Sequence, residues 1–303
     1  MGKLPSSGPA LVVLAAGMGS RYGGLKQLDA VGPGGATLMD YAVFDAARAG
    51  FAGVVFVIRP DMEAAFASFA AHRYGGRIAV TTVHQRLDAV PPGFSAPGRT
   101  RPWGTAHAVL CAATEVDRSF VVVNADDFYG AAAYRAAARF LEGEAGGTPP
   151  AWAVVGYRVS DTVSPAGGVN RAICRVRGGW LSEIEELRDI APEGAAFAGR
   201  GVSGRMPLQG DDLVSMNMWA FTTEIFDMLR REFSAFLNAG PDPDDEFLLP
   251  GVVQGAVANG EARVRVLDPR SPWLGMTYSA DRPAVVRALE DLTRAGQYPA
   301  SLA

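Results

Sequence analysis

The stretch that decides the fold is ALVVLAAGMGSR, residues 10–21. Its first seven residues are an unbroken apolar run with no polar alternation. That is the pattern of a strand buried on both faces, as in a parallel sheet. The run breaks into Gly17-Met18-Gly19-Ser20-Arg21-Tyr22-Gly23-Gly24. Working outward, a helical pattern over residues 37–49 meets Gly50 as a C-cap. GVVFVI at 53–58 is a second strand, stopped by Arg59-Pro60, and Asp61 opens a helix to about residue 71. A third strand covers 77–83. A fourth, FVVVN at 120–124, ends in Ala125-Asp126-Asp127. The alternation predicts an α/β fold. It is a Rossmann-like, doubly wound, mixed but mostly parallel sheet with helices on both faces.

After about residue 150 the texture changes. Strands are expected over 151–157, 172–177, 180–187 and 213–221, with Gly178-Gly179 as a hairpin turn. The second half is therefore hairpin-rich. Residues 87–102 and 193–210 read as long loops, either functional elements or surface insertions. The alanine tract 131–138 is a helix by propensity. Helices are expected over 246–258 and 283–295, with a strand at 264–267 between them. With no internal repeat, residues 1–303 read as one domain. Its first half is about 10–150, and 151–303 forms the remainder.

Charge and composition exclude several functions. The 303 residues carry 28 Lys and Arg against 32 Asp and Glu, a net charge of −4. No global basic field exists to hold a polyanion, which argues against nucleic acid as a partner. Two cysteines cannot build a disulfide framework, so a reducing, cytoplasmic setting is expected. No run of 18 apolar residues predicts a membrane span. The three histidines show no zinc spacing, and no GxSxG motif occurs. Assembly as a homo-oligomer is left open.

The glycine-rich turn after a buried strand can bring backbone N–H groups close to a phosphate, or be a tight turn only. Arg21 and Lys26 add two cations a few residues on. The dinucleotide pattern GxGxxG fails at Tyr22, and the Walker pattern is absent. LAAGMGSRYGGLKQL, residues 14–28, resembles the signature loop of the sugar-1-phosphate nucleotidyltransferases, the nucleoside-diphosphate-sugar pyrophosphorylases. Val83-His84-Gln85 matches the place of a base-reading Gln, and WGTAHAV at 103–109 resembles the segment packed on the base. VVNAD at 122–126 resembles the strand whose Asp binds metal. Gly167-Gly168-Val169, LSEIEE at 181–186, Ser215-Met216-Asn217 and Glu246-Phe247-Leu248-Leu249 follow in the family's order.

The resemblance implies a GT-A-like fold and a reaction. An NTP, with UTP or dTTP favoured, is attacked at its α-phosphorus by a sugar-1-phosphate, in line and Mg²⁺-assisted, releasing pyrophosphate. Arg21, Lys26 and Asp126 are implied as catalytic. Ala15, Ala16, Gly17, Met18, Gly19, Ser20, Gln85, Gly104 and Thr105 are implied to bind nucleotide, and Gly168, Glu186 and Asn217 the sugar. Asp126 is the implied Mg²⁺ ligand. Gly275 stands where relatives carry a second metal Asp, so Asp281 or Asp268 substitutes, or one metal suffices. Leu187 replaces a lysine that often follows the sugar-binding Glu. Read from the residues alone, Asp126 and Asp127 equally suit N-caps of the alanine helix, and Gln85 a polar strand end. His107 suits a satisfied structural histidine, and Glu185 and Glu186 alternate so that one faces the site. A non-sugar phosphate acceptor and a catalytically inactive nucleotide-binding regulator are the alternative functions.

Overall fold

The computed structural model describes residues 7–17, 29–74, 76–95 and 98–302. The expected phosphate-loop residues Met18, Gly19, Ser20, Arg21 and Lys26 lie outside the described residues.

Strand β1 (Ala10–Leu14) forms as its apolar run requires, and Ala10 to Val13 are fully buried. Helix α1 (Leu38–Arg48) starts at a capping box. The Asp40 N–H donates to Thr37 Oγ1 at 3.3 Å, and the Thr37 N–H donates to Asp40 Oδ2 at 2.7 Å. Then come β2 (Gly53–Ile58), α2 (Glu63–Tyr74), β3 (Ala79–His84), α3 (Thr105–Cys111) and β4 (Phe120–Asn124). A two-residue strand β5 (Asp127–Phe128) and helix α4 (Ala131–Gly143) close this half. The second half runs β6 (Ala151–Arg158), β7 (Val169–Arg177), β8 (Trp180–Glu193), β9 (Ala196–Gly201), β10 (Gly204–Leu208) and β11 (Leu213–Phe221). Helices α5 (Ile225–Asn238) and α6 (Leu249–Ala258), strands β12 (Arg263–Leu267) and β13 (Leu274–Gly275), and helix α7 (Arg282–Arg294) complete it.

Eleven strands share one sheet, in the path β10-β9-β8-β12-β6-β11-β4-β1-β2-β3 with β7 bridging β11 and β8. The parallel expectation holds only in part. Strands β3, β2, β1 and β4 are parallel, as is β12 beside β6. Every other pairing in this sheet among the described residues is antiparallel. For β7–β8, β8–β9 and β9–β10 the reason is their short connections. A two-residue Gly-Gly turn with both φ positive can only reverse the chain, and Arg177 pairs with Trp180 across it. Strands β7, β8, β12, β6 and β11 thereby close into a ring of pairings. The segment 193–210, expected as a loop, is instead the β9–β10 hairpin.

Helices cover both faces, as expected. Val13, Phe56 and Val123 pack with side chains of α1, α2 and α4. Val12, Val55 and Val122 pack with those of α3, α5 and α6. Each fully buried aromatic, such as Phe56 or Phe221, contributes about 1.5–3 kcal/mol. Helix α5, whose Ile225, Leu229 and Phe233 are buried, was not anticipated. No helix among the described residues is long and apolar enough to cross a membrane.

Candidate active site

The carboxyl ends of β1, β3 and β4 open into a cavity of about 610 Å³, the position where open α/β sheets hold ligands. Its walls continue onto β7, β8, the middle of β11 and residues 273–277. Of the expected residues, Ala16, Gly17, Gln85, Gly104, Thr105, Asp126, Glu186 and Asn217 line it. Ala15 is fully buried, held by its N–H to Val57 O at 2.8 Å.

At the β1 end, Arg59 Nη1 donates to Ala16 O at 3.3 Å and to Gly17 O at 3.2 Å. Its fork also pairs with both Asp61 oxygens. The arginine that stopped the second strand thus ties down the stem of the glycine-rich loop. Gln85 is almost fully buried at the end of β3. Its Nε2 donates to Gly104 O at 2.9 Å and to His107 Nδ1 at 3.3 Å. A carbonyl can only accept, so Gly104 fixes which way the amide points. His107 donates from Nε2 to Ala89 O at 2.9 Å, which fixes its tautomer. Burial lowers its pKa to about 4, so the ring is neutral. Gly104 has φ +104°, and a Cβ there would stand 2.6 Å from Phe247 O. Thr105 Oγ1 accepts the Leu249 N–H at 3.0 Å. Segment 103–106 is therefore locked to 247–249, which links the base-side wall to the start of α6.

Past β4 the chain turns through Asp126 and Asp127. Neither caps α4, whose N-cap is Gly130 without a side-chain bond. The capping alternative is thereby removed, and both carboxylates line the cavity. Asp127 was missed as a site residue. Its Oδ2 accepts from Asn124 Nδ2 at 2.9 Å and lies 3.2 Å from the Tyr129 hydroxyl. It stands opposite Gly275 in the β5–β13 pair. A Cβ at 275 would lie 2.3 Å from the Trp273 ring and 2.7 Å from Asp127 Oδ1. A side chain at 275 would therefore require Trp273 and Asp127 to shift.

At the far end, Glu186 lines the cavity while Glu185 turns away to accept the Val202 N–H. Burial raises the Glu186 pKa, and the charges of Arg171 and Arg188 oppose that shift. Arg171 was also missed. Its guanidinium donates to Asn170 O, Thr162 O and Thr277 Oγ1 and lies 5.2 Å over the Trp273 ring. Nothing in the local sequence marked Arg171, because Trp273 and Thr277, which it meets, lie about a hundred residues further along the chain. Two expectations need correction. Gly168 is not part of the cavity lining; its carbonyl accepts from the Tyr278 hydroxyl at 2.6 Å. Asp281 does not line it either. Both its oxygens accept hydrogen bonds in the turn before α7, from Ser164 Oγ at 2.6 Å and the Tyr278 N–H at 2.8 Å. Among the described residues no group of three or more His, Cys, Asp or Glu could hold a metal ion.

The fold recurs in known proteins. A family model described as nucleotidyl transferase matches residues 10–161. An inositol-1-phosphate CTP transferase from T. maritima superposes with a TM-score of 0.63 at 16% identity, over 94% of this chain and 96% of that one. A UDP-glucose pyrophosphorylase, complexed with UDP-glucose, gives 0.59 at 13% identity, over 94% and 99%. A putative glucose-1-phosphate thymidylyltransferase from Bacillus anthracis gives 0.60 at 13% identity, over 93% and 95%. No curated protein matches the chain.

Proposed function

Because the chain belongs to the nucleotidyl transferase family, we propose that it transfers a nucleotidyl group from UTP or dTTP to a sugar-1-phosphate. An acceptor phosphate oxygen attacks the α-phosphorus. The new P–O bond forms as the α–β bridging P–O bond breaks, and pyrophosphate leaves. Both reactants are anions, so positioning and charge neutralisation carry the catalysis. The observation that carries this reading is one continuous cavity. It joins Gln85 and Gly104 at one end to Glu186 and Arg171 at the other, across Asp126 and Asp127.

In this reading Gln85 reads the nucleobase. Its Nε2 is committed to Gly104 O, so its Oε1 is the group that accepts the ring N3–H of uracil or thymine. Cytosine lacks that hydrogen. Arg21 and the loop N–H groups take the leaving β- and γ-phosphates, and Lys26 takes the α-phosphate. Glu186 receives acceptor hydroxyls. The adjacent carboxylates of Asp126 and Asp127 are hard oxygen donors, and they fit a Mg²⁺ ion whose remaining ligands are phosphates and water. When bound, that ion supplies positive charge against the reacting phosphates. A non-sugar phosphoalcohol is the second acceptor class, since one structural neighbour is an inositol-1-phosphate CTP transferase.

The test is pyrophosphate release. UTP, dTTP, CTP, GTP and ATP are crossed with sugar-1-phosphates and phosphoalcohols in Mg²⁺. Turnover is expected with UTP or dTTP and a sugar-1-phosphate. Release with only a phosphoalcohol transfers the assignment to the second class. Nucleotide binding with no release from any pair leaves the regulatory alternative. Asp126→Ala is expected to abolish release with the far-ultraviolet spectrum unchanged. Near-normal release at saturating Mg²⁺ would remove Asp126 from the reaction.

A further inference from the structure

Strand β11 carries an irregularity that the reaction alone does not call for. Ser215 pairs with Gly156 of β6, yet Trp219 pairs with Val154, so two extra residues are accommodated between them. Within this bulge Asn217 has φ +64°, the left-handed region that a side chain rarely adopts. Its backbone N–H donates to Ser215 Oγ at 3.1 Å. Its side chain is also committed. Nδ2 donates to Asn124 Oδ1 at 2.8 Å, and Oδ1 accepts from Trp219 Nε1 at 3.0 Å. Asn124, at the last position of β4, passes the chain on through its Nδ2 to Asp127 Oδ2. A second arm arrives from the same bulge. The Tyr129 hydroxyl lies 2.7 Å from Met216 O and 3.2 Å from Asp127 Oδ2, and accepts the Asn124 N–H at 3.0 Å.

We propose that Asn217 is a positioning residue: its left-handed bulge delivers an amide that, through Asn124, fixes the Asp126–Asp127 turn against the reacting phosphates. The inference rests on the functional reading above for its kinetic consequence. Each link is directional. Trp219 can only donate and Asp127 here only accepts. The two amides between them must therefore align head to tail. Such a chain transmits the bulge geometry to the carboxylate at the cavity floor. An acceptor-binding role for Asn217 would not demand a bond to β4.

The variants separate backbone from amide. Asn217→Gly tolerates the positive φ and deletes the amide. Asn217→Asp keeps an acceptor for Trp219 and loses the donor to Asn124. Both are expected to lower kcat about 10- to 100-fold with acceptor KM nearly unchanged, the range for removing a supporting hydrogen bond. Asn124→Ala is expected to match them, and the Asn124→Ala, Asn217→Gly double variant to be no worse than either single. A rise in acceptor KM at constant kcat, or additive losses, overturns the proposal in favour of direct acceptor contact. One readout needs no turnover. In the ligand-free protein, Asn124→Ala is expected to speed hydrogen exchange at the Trp219 indole, two links away. Unchanged exchange overturns the relay even if the enzyme is active. Faster exchange alongside an inactive wild type upholds the relay and rejects the functional reading instead.

Discussion

Gln85 is held on one side by a carbonyl and on another by a neutral histidine, so its orientation is not free to suit the ligand. That constraint gives a prediction. Gln85→Ala removes one acceptor for the base and is expected to raise the NTP KM about tenfold, with little change in kcat, the worth of one hydrogen bond. Steady-state kinetics at saturating acceptor measure it, and a kcat effect alone would contradict the base-reading role. Gln85 and Asp126 were singled out in the sequence by the resemblance, each just beyond a strand, and both line the cavity. Asp127, Asn124 and Arg171 were not. Arg171 meets Thr277 at a separation of 106 residues and Asn124 meets Asn217 at 93, while Asp127, bonded locally to Asn124 and Tyr129, faces Gly275 only through the β5–β13 pair.

At the scale of elements, the turn into α3 is tightly constrained. A Gly104→Ala variant would need φ +104° from an L residue and would press its Cβ onto the Phe247 backbone. A loss of about 1–3 kcal/mol is expected, read from denaturant unfolding, together with weaker NTP binding because Gly104 O orients Gln85. The parallel strands β1, β2 and β4 were legible as continuous apolar runs, and so was the Gly178-Gly179 hairpin. The β9–β10 hairpin was not. Its five glycines between residues 193 and 210 lower strand propensity, and its stability comes from pairing with β8 rather than from local preference. The same limit explains β5 and β13, which at two residues each are defined only by one another.

At the scale of the molecule, one buried charge couples stability to pH. Asp45 on α1 is 2% exposed; its Oδ2 accepts from the Tyr298 hydroxyl at 2.7 Å, and its Oδ1 has no partner among the described residues. Burial raises its pKa from 3.8 to about 7, against the bond from Tyr298 and the charges of Arg48 and Arg135. The fold therefore favours the protonated acid. This contribution is complete below about pH 4 and is lost as pH rises through about 7. Asp45→Asn cannot ionise, so its stability relative to wild type is expected to improve between about pH 5 and pH 8. Thermal melts across that range test it, and a constant difference would exclude the linkage.

Strand β11 lies between β4 and β6 in the sheet, although residues 213–221 follow both in the chain. A ribosome that has released residues 10–161 has therefore made every strand of the nucleotide half and still lacks the one that seals β4. Until Phe221 emerges, the Val122 and Phe120 edge has no partner on that side. Nascent chains stalled before that point are expected to be protease-sensitive and chaperone-bound, and those stalled well beyond it resistant. The family match thus lies in the first half, but the β4 edge of that half is covered only by β11 from the second. The order of synthesis leaves the cavity incomplete until β11 and then residues 273–277 have emerged.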